Sequence, residues 1–295
     1  MRWTPGRRST NLEDRRFERR GRAGLRRGVP MGLGGLLVIL ALSLLFRQNL
    51  FTLLDPSLVD VGAGGEVGAG PMGAPATGTA SPEEEELADF VSFVLDDNQA
   101  TWARVLPDVG ESYRDTQLVL FRDTIESACG YAASASGPFY CPADQKIYID
   151  LGFYDELRRR FGATGDFARA YVVAHEIGHH VQHLLCVDAQ VRRLQADRPE
   201  LENDLSVRME LQADCFAGVW GHSTARRQIL ERGDVEEGLS AAAAIGDDRI
   251  QRMSRGTISP DAFTHGSAEQ RVRWFRRGLS AGDPGACDTF GIQEP

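Results

Sequence analysis

Two histidines four residues apart, with a glutamate directly after the first, constrain this chain more than any other stretch: His175-Glu176-Ile177-Gly178-His179. On a helix, positions four apart share a face, so both imidazoles can aim at one metal ion while Glu176 stands beside them without being a ligand. The preceding Ala168–Ala174 is mostly apolar and helix-compatible, as a buried helix carrying such a pair must be. His180 and His183 lie in the same segment, and His179 with His183 is a second pair at this spacing. Only His175 is followed directly by glutamate. That favours His175 and His179 as ligands and leaves the other two to face solvent or support the site. The expectation is a zinc-dependent peptidase.

Catalytic zinc takes three protein ligands and keeps a fourth position for water. Downstream, Arg208–Gly218 places Glu210 and Asp214 one helical turn apart among Leu211, Ala213, Phe216 and Ala217. Burying two acids in such company is costly without a cation or hydrogen-bond donors. Glu210 would complete a His2Glu set, and Asp214 would accept the outer N–H of a ligand histidine. The competing reading is a solvated helix with Arg208 paired nearby. In the metal reading, zinc lowers the pKa of its water to about 7, and Glu176 takes that proton and delivers it to the leaving amine. The alternation in Gln145–Leu151 reads as a strand, and as an edge strand it could pair with a peptide backbone.

The blocks H-E-I-G-H-H-V-Q, E-L-Q-A-D-C-F-A-G-V-W and T-H-G-S-A-E-Q-R, with G-P-F-Y-C-P-A-D-Q-K-I-Y-I-D-L before them, resemble the bacterial "putative neutral zinc metallopeptidase" family, membrane-anchored proteins of the gluzincin type. The resemblance runs from about Glu84 to Phe290. It implies one Zn2+ per chain held by His175, His179 and Glu210, with Glu176 as catalytic acid/base and a peptide or protein as substrate. His265, followed by Arg271, is similar to a late histidine in related membrane metallopeptidases, where such a group stabilises the developing oxyanion. The plainer reading makes His265 a turn residue ahead of a helix capped near Ser267. His222 sits where a histidine commonly satisfies carbonyls at a helix end.

Residues 1–30 hold ten arginines against Glu13, Asp14 and Glu18, in a chain whose net charge is −9. A basic start can signal nucleic acid, but the uncharged stretch Val29–Phe46 that follows has the length of a short membrane span. The expectation is therefore a basic cytoplasmic tail (1–28), a transmembrane helix (29–46), a flexible linker (47–83) and a zinc metallopeptidase domain (84–295). This makes a single-pass protein with an extracytoplasmic catalytic part and the lipid bilayer as partner. Nucleic acid is not expected. Cys129 and Cys141 bracket a turn-rich loop and could be bridged. Cys215 and Cys287 could form a second pair, leaving Cys186 over, although five cysteines do not define a connectivity.

The fold class expected is α+β: a helix-rich, zincin-like domain with a small sheet, behind one N-terminal transmembrane helix. Helices are expected near 84–96, 152–162, 165–186, 198–220, 234–252 and 267–279, with strands near 117–121 and 146–150. Two other function classes compete with the enzyme. One is a catalytically inactive, metal-binding envelope interaction protein, which an intact Glu176 argues against. The other is a structural protein in which the motif is accidental.

Overall fold

Ser81 followed by Pro82 and a run of acids is a strong helix start, because each residue suits an orphan amide or the positive end of the helix dipole. Ser81 accepts the amide of Glu84, and α1 runs Pro82–Val105. The computed structural model describes residues 1–18, 80–133, 137–162, 165–255 and 257–292. Four strands form a sheet in the order β1 (Leu12–Asp14), β2 (Gln117–Phe121), β6 (Lys146–Asp150), β5 (Phe139–Cys141). The β1–β2 and β2–β6 pairs are parallel, and β5–β6 is antiparallel. β3 (Thr124–Ser127) and β4 (Gly130–Ala133) make a separate antiparallel hairpin.

The strand read over 145–151 is not the edge strand that peptide pairing along it would need. β6 is flanked by β2 and β5, and Ile147–Asp150 are buried on both faces. β5 is the edge strand on that side, and it packs beside the helix that carries His175.

The helices are α2 (Gly152–Phe161), α3 (Asp166–Leu184), α4 (Val187–Asp197), α5 (Glu202–Arg226), α6 (Asp234–Ala244), α7 (Asp247–Arg255) and α8 (Ala268–Ala281). α3 is central, packed on α1, α5 and α6, with Phe167 stacked on Trp220 at 5.4 Å and Tyr171 edge-on to Phe275 at 5.5 Å. The helix expected over 165–186 stops at Leu184. Cys186 then takes a φ of 59°, which turns the chain into α4. The helix expected over 234–252 is two helices. They divide at Gly246, where an added Cβ would lie 2.4 Å from the Ala268 backbone nitrogen.

Disulfides join Cys129 to Cys141 and Cys215 to Cys287, and Cys186 is free and exposed. The first ties the turn of the β3–β4 hairpin to β5. The second ties the C-terminal segment to α5.

Met1–Phe17 belong to the same compact unit as Thr79–Pro295, where the sequence suggested a separate tail. The reason is charge pairing. Arg8 meets Asp89 and Glu85, and the fully buried Arg16 side chain meets Asp14, Glu84 and Glu85. The apolar stretch 29–46 and linker residues 47–79 lie outside the described residues. Among the described residues, no helix is long and apolar enough to cross a membrane.

Candidate metal centre

One helix supplies His175, Glu176 and His179, and a second, α5, crosses it with Glu210 and Asp214. The crossing is close because α3 has a glycine there: a Cβ on Gly178 would stand 2.9 Å from the Ala213 carbonyl oxygen. Both imidazoles turn Nε2 toward one carboxylate. His175 Nε2 lies 3.2 Å from Glu210 Oε2, and His179 Nε2 lies 3.4 Å from Glu210 Oε1. One donor atom from each of the three residues falls within 4.8 Å of the others.

The opposite ring nitrogens are already committed. His175 Nδ1 is 2.9 Å from Asp214 Oδ1, and an ionised carboxylate only accepts, so the Nδ1 proton belongs there. His179 Nδ1 is 2.8 Å from Gln182 Oε1, whose amide nitrogen donates to the Met209 carbonyl and to Gln212. In the neutral imidazoles, two Nε2 lone pairs therefore face a carboxylate. Acceptors facing acceptors in a buried site require a cation or extra protons between them. A His2Glu donor set fits zinc in both ligand type and number.

Electrostatics agree. Burial alone would lower the His175 pKa, but the Asp214 and Glu210 carboxylates outweigh it and raise it to about 10. Burial would also lower the His179 pKa, yet Glu210 raises it. Glu210 itself is held well below the ordinary carboxylate value: burial pushes upward, and His179 and His175 more than offset it. The site is thus built to concentrate positive charge between these three groups. Glu176 differs. Burial raises its pKa, the two histidines only partly oppose this, and its carboxyl group makes no hydrogen bond among the described residues.

Asp214 is fully buried and multiply held. Besides His175 it receives the Tyr171 hydroxyl and a two-pronged contact from Arg271, Nε to Oδ2 at 2.8 Å and Nη2 to Oδ1 at 3.0 Å. Tyr171 and Gln182 have no role in the sequence reading, and Arg271 enters it only as the arginine that follows His265. Tyr171 is one turn before His175 and Gln182 is three residues after His179, so helical spacing offered both.

His265 lies on the turn before α8, half exposed, its Nδ1 3.0 Å from Thr264 Oγ1 and 3.4 Å from Asp247 Oδ1. Asp247 raises its pKa, against burial, with Glu210 adding to the rise. Ser267 caps α8 in a reciprocal box with Gln270. His180 turns away from the centre. It is buried between the Tyr140 hydroxyl at 3.0 Å and the Arg114 carbonyl at 2.7 Å, and burial lowers its pKa to about 4. His183 pairs with Asp188, and His222 bonds the Leu279 carbonyl of α8 rather than its own helix end.

A cluster of two histidines and a glutamate on crossing helices, with Glu176 beside it, defines the class by its site: a chain with a candidate metal centre on a helix motif. A profile of the family described as "putative neutral zinc metallopeptidase" matches residues 1–290, and the chain belongs to that family. It is 46% identical over 297 residues to the uncharacterized protein YpfJ of Escherichia coli K12, covering 99% of both chains. It is 44% identical over 202 residues to the uncharacterized proteins Mb2605 of Mycobacterium bovis and Rv2575 of Mycobacterium tuberculosis, covering 65% of this chain and 66% of each of theirs. No solved structure matches.

Proposed function

We propose that the protein is a zinc-dependent peptidase of the gluzincin type, with His175, His179 and Glu210 as the ligands and Glu176 as the general base and acid. The observation that carries this reading is the convergence of three donors whose outer contacts leave both Nε2 lone pairs facing Glu210. Zinc held there supplies a Lewis acid that acidifies water and polarises a carbonyl near neutral pH.

The chain's own residues do the rest. Glu176, its pKa raised by burial, takes the proton of the attacking water and returns it to the leaving amine. Asp214 and Gln182 hold the two imidazoles in the tautomer that presents Nε2. His265, whose pKa Asp247 raises, is the side chain that would add positive charge for the developing oxyanion. The extended peptide pairs along β5, the edge strand beside α3.

The test is metal content and peptide-library digestion by the purified full chain and by Glu176→Gln. About one zinc per chain in both proteins is expected, with cleavage slowed by about 10²–10⁴-fold or more in the variant. A folded protein that takes up no zinc on reconstitution, or a Glu176→Gln variant that cleaves at the parental rate, overturns the reading. Zinc uptake with no cleavage by the parent would favour the inactive binding protein instead.

A further inference from the structure

The docked N-terminal segment bears on how the chain meets a membrane. β1 is a full member of the sheet: Leu12, Glu13 and Asp14 lie in register with Leu118, Val119 and Leu120. The ladder continues beyond it, with the Leu118 amide donating to the Asn11 carbonyl and the Arg15 amide to the Leu120 carbonyl, both at 2.8 Å. Side chains lock the same register. The Ser9 amide donates to Ser92 Oγ at 2.7 Å, Lys146 Nζ meets Glu13 at 3.1 Å, and Trp3 packs edge-on to Phe90 at 5.3 Å.

The two ends of the intervening chain therefore meet. Arg16, just before Phe17, reaches the Glu84 carbonyl at 3.4 Å and the Glu85 carboxylate at 2.9 Å, both in the first turn of α1. A single crossing of a bilayer separates its two ends by a hydrocarbon core about 30 Å thick. Neighbouring strands of one sheet are only about 4.8 Å apart. The two conditions exclude each other.

The charge argument for an N-terminus on the far side also weakens. Three of its ten arginines, Arg8, Arg15 and Arg16, are engaged by Asp89, Glu13, Asp14, Glu84 and Glu85 within the fold and serve packing there.

We propose that Met1–Phe17 and Thr79–Pro295 fold in one compartment, on the same side of any membrane the chain meets. The proposal holds whether or not the peptidase reading does.

The chain carries its own reporter, because Cys186 is a free, exposed thiol on the metal-binding unit. The N-terminal reporter is Arg7→Cys in a Cys186→Ser background, placed at an exposed position. Cells producing each full-length chain are treated with a membrane-impermeant maleimide before and after permeabilisation. The expected result is the same pattern for both thiols: both labelled in intact cells, or both protected until the membrane is opened. One thiol labelled in intact cells and the other only after permeabilisation overturns the proposal. So does an intact mass showing that the mature chain has lost its N-terminal segment.

Discussion

Arg271 is one of four arginines between residues 271 and 277, yet its guanidinium is only 1% exposed and faces the fully buried Asp214. Replacing it with methionine would leave Asp214 charged and held only by Tyr171 and His175. Breaking a buried ion pair from one side costs roughly 3–5 kcal/mol. Disturbing the outer contact of a metal-binding histidine costs about 10–100-fold in affinity. Arg271→Met should lower stability by that amount in urea unfolding and weaken zinc by that factor in chelator competition. Arg271→Lys should fall between, because it keeps the charge and loses the planar fork. Undiminished zinc affinity in Arg271→Met would remove Arg271 from the centre. The legibility of these residues follows from how local their geometry is. His175, Glu176 and His179 are legible because helical spacing alone aligns them, and Glu210 and Asp214 because acids among apolar neighbours need a partner. Arg271 reaches Asp214 only through the crossing of α5 and α8, which no local pattern encodes.

That crossing is made of backbone. A Cβ on Gly278 would stand 1.9 Å from the Cys215 carbonyl oxygen, and one on Gly218 would stand 2.2 Å from that of Phe275. Alanine in place of a mid-helix glycine gains about 1 kcal/mol in propensity, but overpacking costs typically 1–3 kcal/mol and occasionally more. At Gly278 the obstacle is a carbonyl that cannot step aside, so Gly278→Ala should lose about 3 kcal/mol or more in urea unfolding. At Gly178 the approach is looser, 2.9 Å, and the two terms nearly cancel. Gly178→Ala should therefore change stability by less than about 2 kcal/mol while moving α3 off Glu210, so that zinc affinity falls more than stability does. The sequence marks both long site helices but not the sheet around them. β1, β3, β4 and β5 are three or four residues long, too short to show a periodic pattern, and β1 takes its place from a distant partner, β2. The two strands that were legible, β2 and β6, are each five residues long, β2 an apolar run and β6 an alternation of polar and apolar residues.

At the scale of the whole chain, two distant segments close the fold: the C-terminal turn through Cys215–Cys287 and the N-terminal strand through ion pairs. The disulfide spans 72 residues. Chain entropy alone assigns such a loop about 4 kcal/mol, so Cys215→Ala with Cys287→Ala should lower stability by that order in urea unfolding. The N-terminal strand depends on pH instead. Burial alone would raise the pKa values of Glu13 and Asp14, but Arg15 and Lys146 hold Glu13, and Arg16 and Arg8 hold Asp14, below the ordinary 4.5 and 3.8. Carboxylates with lowered folded pKa values contribute stability that is full above their unfolded values and is lost as pH falls through the folded ones. Docking of Met1–Phe17 should thus be unchanged from pH 7 to about 5 and loosen below about 4. The check is hydrogen exchange at the Arg15 and Leu118 amides, which bridge β1 and β2, corrected for the intrinsic rate at each pH. Protection at both amides should fall together in acid while the α3 amides stay protected, since β1 leaves as a unit when its carboxylates are neutralised. Equal loss along α3 would mean that acid unfolds the whole domain and that the N-terminal pairs are not its weakest part.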